Sequence, residues 1–242
     1  MLSDILSPAF LQAAGRAGKG IPMGKIILDT KFADPTISNI SCTGEIKVTT
    51  VKNGAQLVET YSDLDGETLS IQADANTQIV ISGAEITACE IGENTTYTKI
   101  SIKNTAITEL NCSSCYVLTA LDVSKNTALT QLNCNSCYTL TALDVSKNTA
   151  LTQLNCSSCY TLTALDVSKN TALTQLNCSS CAKLISISYP ATNENVSTAV
   201  AGAITNADAA DGTVYTDSAA TYYDTIATAA TAKGWTIAQI SE

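Results

Sequence analysis

The stretch LTALDVSKNTALTQLNCNSCYT, residues 118–139, decides the fold because the chain repeats it with small changes. Its first half, LTALDVSKNTA, starts at Leu118 and returns at Leu140 and Leu162. Close spellings of its second half start at Ile107, Leu129, Leu151 and Leu173. Both halves fit one eleven-residue template, with an aliphatic residue at positions 1 and 4, Val or Cys at position 6, and Asn or Cys at position 9. Self-similarity at a period of 22 residues predicts stacked units that share one core.

Each eleven-residue unit is predicted to contribute one short strand and one turn. Alternate residues of a strand point to the same side, so positions 4 and 6 both enter the core. Two units then complete one turn of a solenoid, and strands of successive turns pair in parallel about 4.8 Å apart. The register continues less regularly upstream through Ile86 and Tyr97, and Pro190 stops it downstream. We therefore predict a mainly β solenoid over residues 86–190.

The spellings LxxLxVxxN and LxxLxCxxC resemble leucine-rich repeats, in particular the nested bacterial kind in which two short units alternate. The segment LTALDVSKNTALTQLNCSSC, residues 140–159, is similar to repeats in surface proteins and uncharacterised proteins of Bacteroides-type gut bacteria and their phages. The resemblance implies a leucine-rich-repeat solenoid used for recognition or scaffolding, not catalysis. The chain departs from the nested pattern at one position, where Asn is usual. The residues there are Cys115, Cys137, Cys159 and Cys181.

Residues 25–85 are predicted to form a small antiparallel β domain. Short alternating runs such as GEIKVTTV and TQIVISG are typical of strands. The dipeptides Asn53-Gly54 and Asp65-Gly66 favour hairpin turns, which need positive φ angles. The last run, TQIVISG, is expected to lead directly into the solenoid and cover its first turn.

Residues 191–242 are predicted to form an α/β cap on the last turn of the solenoid. One helix is expected to bury Val196, Val200 and Ile204, and a second helix is expected to end at Lys233-Gly234. The run that starts at Trp235 is predicted to pair with GTVYT. A cap is needed because a bare last turn would expose unpaired strand edges.

Residues 1–24 are interpreted as an anchor and linker segment. Gly15, Gly18 and Gly20 form a flexible link to the rest of the chain. The apolar side chains that would be buried in a partner are Leu2, Ile5, Leu6, Phe10 and Leu11. A frayed terminus is the alternative.

The charge balance excludes two classes of partner. The chain of 242 residues has 13 Lys and Arg against 22 Asp and Glu, a net charge of −9. Such a chain does not attract nucleic acid or an anionic membrane surface. No apolar run approaches the length of a membrane span, so membrane insertion is not expected. The N-terminus is also a poor secretion signal, because it lacks a basic start followed by an uninterrupted apolar core.

The cysteines form repeated C-x-x-C pairs, a spacing that also suits zinc or iron–sulfur clusters. Cys112 occupies the template position that Val123 holds in the other spelling, which is a core position. Cys115 occupies position 9, where the other spelling has Asn126. We interpret the cysteines as structural thiols and predict neither a metal nor a cofactor, with a metal site and disulfides as the alternatives.

Catalysis finds little support in the sequence. The chain has no His, so the usual general base at neutral pH is missing. It also lacks a Gly-rich phosphate-binding loop and a G-x-S-x-G elbow. We therefore expect a protein that is not an enzyme.

The outward-facing residues of the repeat are the better indication of function. Tyr supplies flat contact area and a hydroxyl group at little entropic cost, so an aromatic and amide surface suits a protein or a glycan. The alternative is a solvated face that was copied with the repeat. The candidate interaction surface comprises Tyr116, Tyr138, Tyr160, Asn111, Asn133, Asn155, Asn177, Gln131, Gln153 and Gln175.

These observations predict a non-catalytic structural or adhesion protein with a leucine-rich-repeat recognition surface. The expected location is the surface of a phage virion, with residues 1–24 docked into other virion proteins. The alternative is a protein- or glycan-binding module at a bacterial cell surface or inside a bacterium.

Overall fold

Parallel strand pairing at intervals of 22 residues organises the chain. The computed structural model describes residues 24–30, 36–52, 55–62, 67–70, 78–91, 97–102, 106–189, 194–216 and 223–239. Within them the chain is mostly β and contains two helices. The candidate anchor residues and both predicted hairpin turns lie outside the described residues.

Antiparallel strands precede the repeats. They are β1 Gly24–Thr30, β2 Thr36–Lys52, β3 Ala55–Ser62, β4 Glu67–Ser70 and β5 Gln78–Glu90. Strand β2 pairs antiparallel with β3, β4 and β5, and β1 pairs antiparallel with β5. The boundary predicted between residues 85 and 86 falls inside β5, because that strand continues into the repeats.

The repeats form two parallel ladders. Their strands are β6 Tyr97–Ile102, β7 Glu109–Asn111, β8 Ala120–Asp122, β9 Gln131–Asn133, β10 Gln153–Asn155, β11 Ala164–Asp166, β12 Gln175–Asn177 and β13 Ser186–Ser188. Ladder A comprises the end of β5 with β7, β9, β10 and β12, and ladder B comprises β6, β8, β11 and β13. In ladder A, Leu132 pairs with Leu154 and Leu154 with Leu176, so these steps are 22 residues, whereas the first step, from Cys89 to Leu110, is 21 residues. The predicted period and parallel pairing are confirmed.

Ladder B is interrupted in the middle. The Leu140 unit contributes a single bridge, between Asp144 and Asp166, instead of a three-residue strand. A crevice of about 260 Å³ opens there beside Thr141 and Thr163. The ladder resumes where β11 pairs with β13.

The core lies between the two ladders and is built from template positions 1, 4 and 6. Leu129, Leu140 and Leu151 are fully buried, and so are Cys134 and Val145. The upstream register is also confirmed, since the predicted positions there are buried. They are Ile86, Cys89, Ile91, Tyr97, Ile100 and Ile102.

Position 9 carries the hydrogen bonds that join successive repeats inside the core. Asn148 Nδ2 donates to Val123 O at 3.0 Å and to Asn126 O at 2.7 Å. In ladder A, Cys137 Sγ donates to Cys112 O at 3.3 Å. An Asn amide thus makes two bonds to the preceding repeat where a thiol makes one weaker bond.

Each repeat strand from β7 to β12 ends in a turn that is stabilised by a hydrogen bond to the side chain of the last strand residue. At position 5, Asn155 Oδ1 accepts from Ser157 N at 3.1 Å, and Asp166 Oδ1 accepts from Ser168 N at 2.9 Å. In the cysteine-containing units a serine follows with a φ near 59°, a left-handed conformation that is uncommon outside glycine. These residues are Ser114, Ser136, Ser158 and Ser180.

The C-terminal region extends ladder B and covers the end of ladder A. It contains α1 Glu194–Asn206, β14 Thr213–Thr216, α2 Tyr223–Lys233 and β15 Thr236–Gln239. Strand β14 pairs in parallel with β13, and β15 with β14. Helix α1 buries Val196, Val200 and Ile204, and its Ala199 O accepts from Cys178 Sγ at 3.8 Å. Gly234 has a φ of 81°, which confirms the predicted helix stop.

Strand β1 joins the two ladders at their N-terminal end, because it pairs antiparallel with β5 on one side and with β6 on the other. No helix within the described residues is long and apolar enough to cross a membrane.

Candidate recognition surface

The two ladders present different outward side chains. In a strand, residues on either side of a buried one point the opposite way, so positions 3 and 5 face outward when the Leu at position 4 is buried. From β7 onward, ladder A has Gln or Glu at position 3 and Asn at position 5, for example Gln153 and Asn155. Ladder B has Ala and Asp there, for example Ala164 and Asp166. Ladder A is therefore a neutral amide surface with an acidic start.

The outer face of ladder A forms a groove of about 730 Å³, which we name the amide groove. It runs across all five strands of the ladder, from Glu90 to Asn177. Its polar lining is Glu90, Glu109, Asn111, Gln131, Asn133, Gln153, Asn155, Gln175 and Asn177. The structure thus brings the predicted Asn and Gln residues together on one surface.

Each asparagine of the amide groove uses its side-chain oxygen in a turn, while its side-chain nitrogen faces the groove. Each Oδ1 closes the turn after its strand, as in Asn133 Oδ1, which accepts from Asn135 N at 3.1 Å. Asn111 Nδ2 donates to Glu90 Oε1 at 3.0 Å. Among the described residues, the Nδ2 groups of Asn133, Asn155 and Asn177 have no such side-chain partner. The groove therefore offers hydrogen-bond donors at regular intervals.

Two carboxylates mark the first end of the amide groove. Glu109 Oε1 accepts from Gln131 Nε2 at 3.1 Å, and Glu90 is bound by Asn111. Sequence reasoning missed Glu90 and Glu109 as site residues. The signal was present, because Glu109 stands at position 3 and Glu90 at position 5 of their units.

The tyrosines form a separate column outside the amide groove. Tyr116, Tyr138 and Tyr160 follow the turns after β7, β9 and β10, and they do not line the groove. The ring centroids are 4.9 Å apart in both pairs, with interplanar angles of 16° and 14°. Both faces of Tyr138 are therefore covered by its neighbours. The prediction that these rings offer flat faces to a ligand is wrong for Tyr138, because the rings stack on each other first.

The aspartates of ladder B are stabilised mainly by their own turns. Hydrogen bonds from the backbone and side chain of Ser146 hold the pKa of Asp144 below its usual value. Lys147 lowers that pKa further, by a smaller amount, and Asp122 opposes it. The negative charge of Asp144 is thus stabilised mainly by hydrogen bonds in its own turn, and Lys147 makes a smaller contribution.

Cys89 and the eight cysteines of the C-x-x-C pairs are buried free thiols. A hydrogen bond with Cys137, followed by burial, raises the pKa of Cys112 well above its usual value, and burial raises the pKa of Cys178 to about 12. Cys112 and Cys178 therefore stay protonated at neutral pH and are poor nucleophiles, whereas a hydrogen bond with Cys156 lowers the pKa of Cys181. In the described part of the chain, no three His, Cys, Asp or Glu side chains converge as metal ligands. The geometry gives these cysteines packing and hydrogen-bonding roles.

Comparisons with known proteins identify no family. No family model matches the chain, and no curated protein matches it. One solved structure, the functional domain of InlJ from Listeria monocytogenes, which includes a cysteine ladder, is 21% identical with a TM-score of 0.27. The match covers 61% of this chain and 52% of that one, so the chain spans about half the length of that structure. Similarity at this level assigns the chain to no family.

Proposed function

We propose that the protein is a non-catalytic recognition module, a leucine-rich-repeat solenoid whose amide groove binds an extended segment of a protein partner. The observation that supports this most is the groove itself, in which amide side chains recur in each strand of ladder A from β7 to β12. Amide groups pair with peptide N–H and C=O groups because each carries both a donor and an acceptor.

The dimensions of the amide groove suit a short extended peptide. Five strands at about 4.8 Å spacing span roughly 19 Å, which corresponds to about six residues at roughly 3.3 Å each. The volume of about 730 Å³ is within the usual range of ligand sites. The carboxylates of Glu90 and Glu109 favour a peptide with a basic residue at that end.

A glycan is less well supported as the ligand of this groove. Sugar rings usually pack on aromatic faces, and the described lining of the amide groove includes no aromatic side chain. The tyrosine rings lie elsewhere and mostly cover one another. The amide surface without rings therefore favours a peptide.

Selection of a random peptide display library on the full chain tests this proposal. The triple variant Gln131→Ala, Gln153→Ala and Gln175→Ala is expected to bind the selected peptides at least about tenfold more weakly, since each lost hydrogen bond is worth roughly 1 kcal/mol. Its fold is expected to persist, because Ala is the native residue at this position in ladder B.

The matched control changes the other ladder. Replacing Asp122, Asp144 and Asp166 by Asn gives ladder B the residue that ladder A has at position 5. Binding of the selected peptides should be unchanged in this variant. Equal losses in the two variants, or no loss in either, would contradict a binding site in the amide groove.

We also propose that residues 1–24 attach the protein to other virion proteins on the surface of a phage, with a bacterial cell surface as the alternative. Sequence supports this proposal, through an apolar segment followed by a Gly-rich link. Deletion of residues 1–20 is expected to abolish incorporation into the particle while leaving peptide binding intact. Incorporation of the truncated protein would contradict the anchor.

A further inference from the structure

The tyrosine column stops one unit before the cysteine-containing units do. Tyr116, Tyr138 and Tyr160 occupy template position 10, and the next such unit has Ala182 there. Tyr160 is 45% exposed, compared with 36% for Tyr138, which has a ring on both faces, and 37% for Tyr116 at the other end of the column. The methyl group of Ala182 is too small to cover the second face of Tyr160. The column therefore ends in an open ring face.

Asp208 lies next to Ala182, on the side away from Tyr160. Its backbone N donates to Ala182 O at 2.6 Å. Two repeats earlier the corresponding carbonyl, Tyr138 O, accepts at 2.9 Å from Thr161 Oγ1, which belongs to the repeat after Tyr138. Asp208 thus stands about where one more repeat would lie, two steps beyond Tyr160. Two steps of ladder spacing leave a slot of roughly 10 Å between the backbones at 160 and 208, with Ala182 as its floor.

The segment that carries Asp208 is held in place by the C-terminal region. Trp235 Nε1 donates to Ala209 O at 3.0 Å, and Thr236 N donates to Gly212 O at 2.8 Å. With the bond from Asp208 N to Ala182 O, the segment is fixed at three points. The slot is therefore a preformed feature with one aromatic side and one acidic side.

The charge around the slot favours a cation. The face of a tyrosine ring carries negative partial charge and attracts cations. Asp208 is exposed beyond Ala182, and Asp211 adds a second exposed carboxylate to the same segment. Lys183 is the neighbouring base, and within the described residues it forms no ion pair with Asp208.

We propose that this slot, which we name the Tyr160 slot, binds the guanidinium group of an arginine side chain on a protein partner. A guanidinium is planar, so it stacks on the open face of Tyr160 as a further ring would. Its N–H groups donate to the carboxylate of Asp208 in the same position. The slot is distinct from the amide groove, and the proposal does not depend on the groove.

Titration of the isotopically labelled full chain with N-acetylarginine amide, followed by NMR, tests the Tyr160 slot. Saturable shifts are expected at the backbone amides of Tyr160, Ala182 and Asp208. N-acetylcitrulline amide, which has nearly the same shape without the charge, should bind roughly fivefold more weakly, as the size of exposed cation–π contacts implies. Equal binding of the two probes, or shifts confined to other residues, would overturn the proposal.

Two substitutions sharpen the test without removing a core residue. Ala182→Tyr introduces the residue found at this position in the other cysteine-containing units, fills the slot with the protein's own ring, and should abolish the arginine shifts. Lys183→Ala removes the competing base and should strengthen binding. Saturable binding of methyl glucoside at Tyr160 with none of N-acetylarginine amide would make the slot a sugar site and would also overturn the proposal.

Discussion

Deletion of residues 129–150 is expected to leave a protein that still unfolds cooperatively, whereas deletion of residues 129–139 is expected to abolish cooperative unfolding. The longer deletion removes one unit of each spelling, so every remaining strand keeps its ladder. Stability in stacked repeats is nearly a sum over neighbours, so one repeat is dispensable. The denaturant m-value should fall by about a tenth, in proportion to the surface that unfolding exposes.

The shorter deletion moves every later unit to the opposite ladder. Lys147 would then occupy a turn position where Ser136 has a φ of 59°, and Asn148 would face the carbonyl groups that now bind thiols. Helix α1, which now covers the end of ladder A, would also be half a turn out of place. The combined loss should exceed the roughly 5–15 kcal/mol that stabilises a typical domain.

Urea unfolding followed by circular dichroism measures both deletions. If every unit could occupy either ladder, the 129–139 deletion should be tolerated better than the 129–150 deletion, because it removes fewer residues. Cooperative unfolding of the 129–139 deletion together with failure of the 129–150 deletion would therefore contradict the two-ladder arrangement.

Asn148→Asp is expected to lower the free energy of unfolding by about 3–5 kcal/mol at pH 7, the usual cost of a buried charge without a partner. Asn148 is fully buried, and its Nδ2 donates to Val123 O and Asn126 O. A carboxylate of the same shape would instead bring a negative charge to two carbonyl oxygens. Asn155→Asp makes the same chemical change on the outer face of ladder A and should cost less than about 0.5 kcal/mol, since ladder B has Asp there.

The cost of Asn148→Asp should depend on pH. Burial would raise the pKa of the new carboxyl in the folded state above its unfolded value of about 3.9. Below that unfolded value both states are protonated and the ionisation cost vanishes. As pH rises towards the folded pKa, the unfolded state loses its proton first and stability falls. Urea unfolding at pH 4 and pH 7 would show this, and equal effects of the two substitutions at pH 7 would contradict the buried Asn ladder.

The repeating part of the fold was predictable because each residue there has the same neighbours in every repeat. Aligning the two spellings placed Cys134 with Val145 in the core, and both are fully buried. The glycine stop at Gly234 is also a local signal, since a left-handed residue after a helix favours glycine.

Features that depend on how one repeat meets the next were not predictable in the same way. Stacking of Tyr138 between two rings follows from the orientation of side chains 22 residues apart, which the template does not encode. Strand β1 between β5 and β6 pairs residues 49 to 76 positions apart, so no local pattern indicates it. Glu90 and Glu109 were missed because they interrupt an otherwise uniform amide series.

We propose that the amide groove of ladder A is the recognition surface. Chemical-shift mapping of the labelled full chain with a peptide selected from the display library tests it most directly, because Asn and Gln side-chain amides give their own signals. We expect the largest chemical-shift changes at the side-chain amides of Gln131, Gln153 and Gln175. Changes at Glu109 are also expected when the peptide has a basic residue at one end. Shifts confined to ladder B, at Asp122, Asp144 and Asp166 and their neighbours, would contradict it.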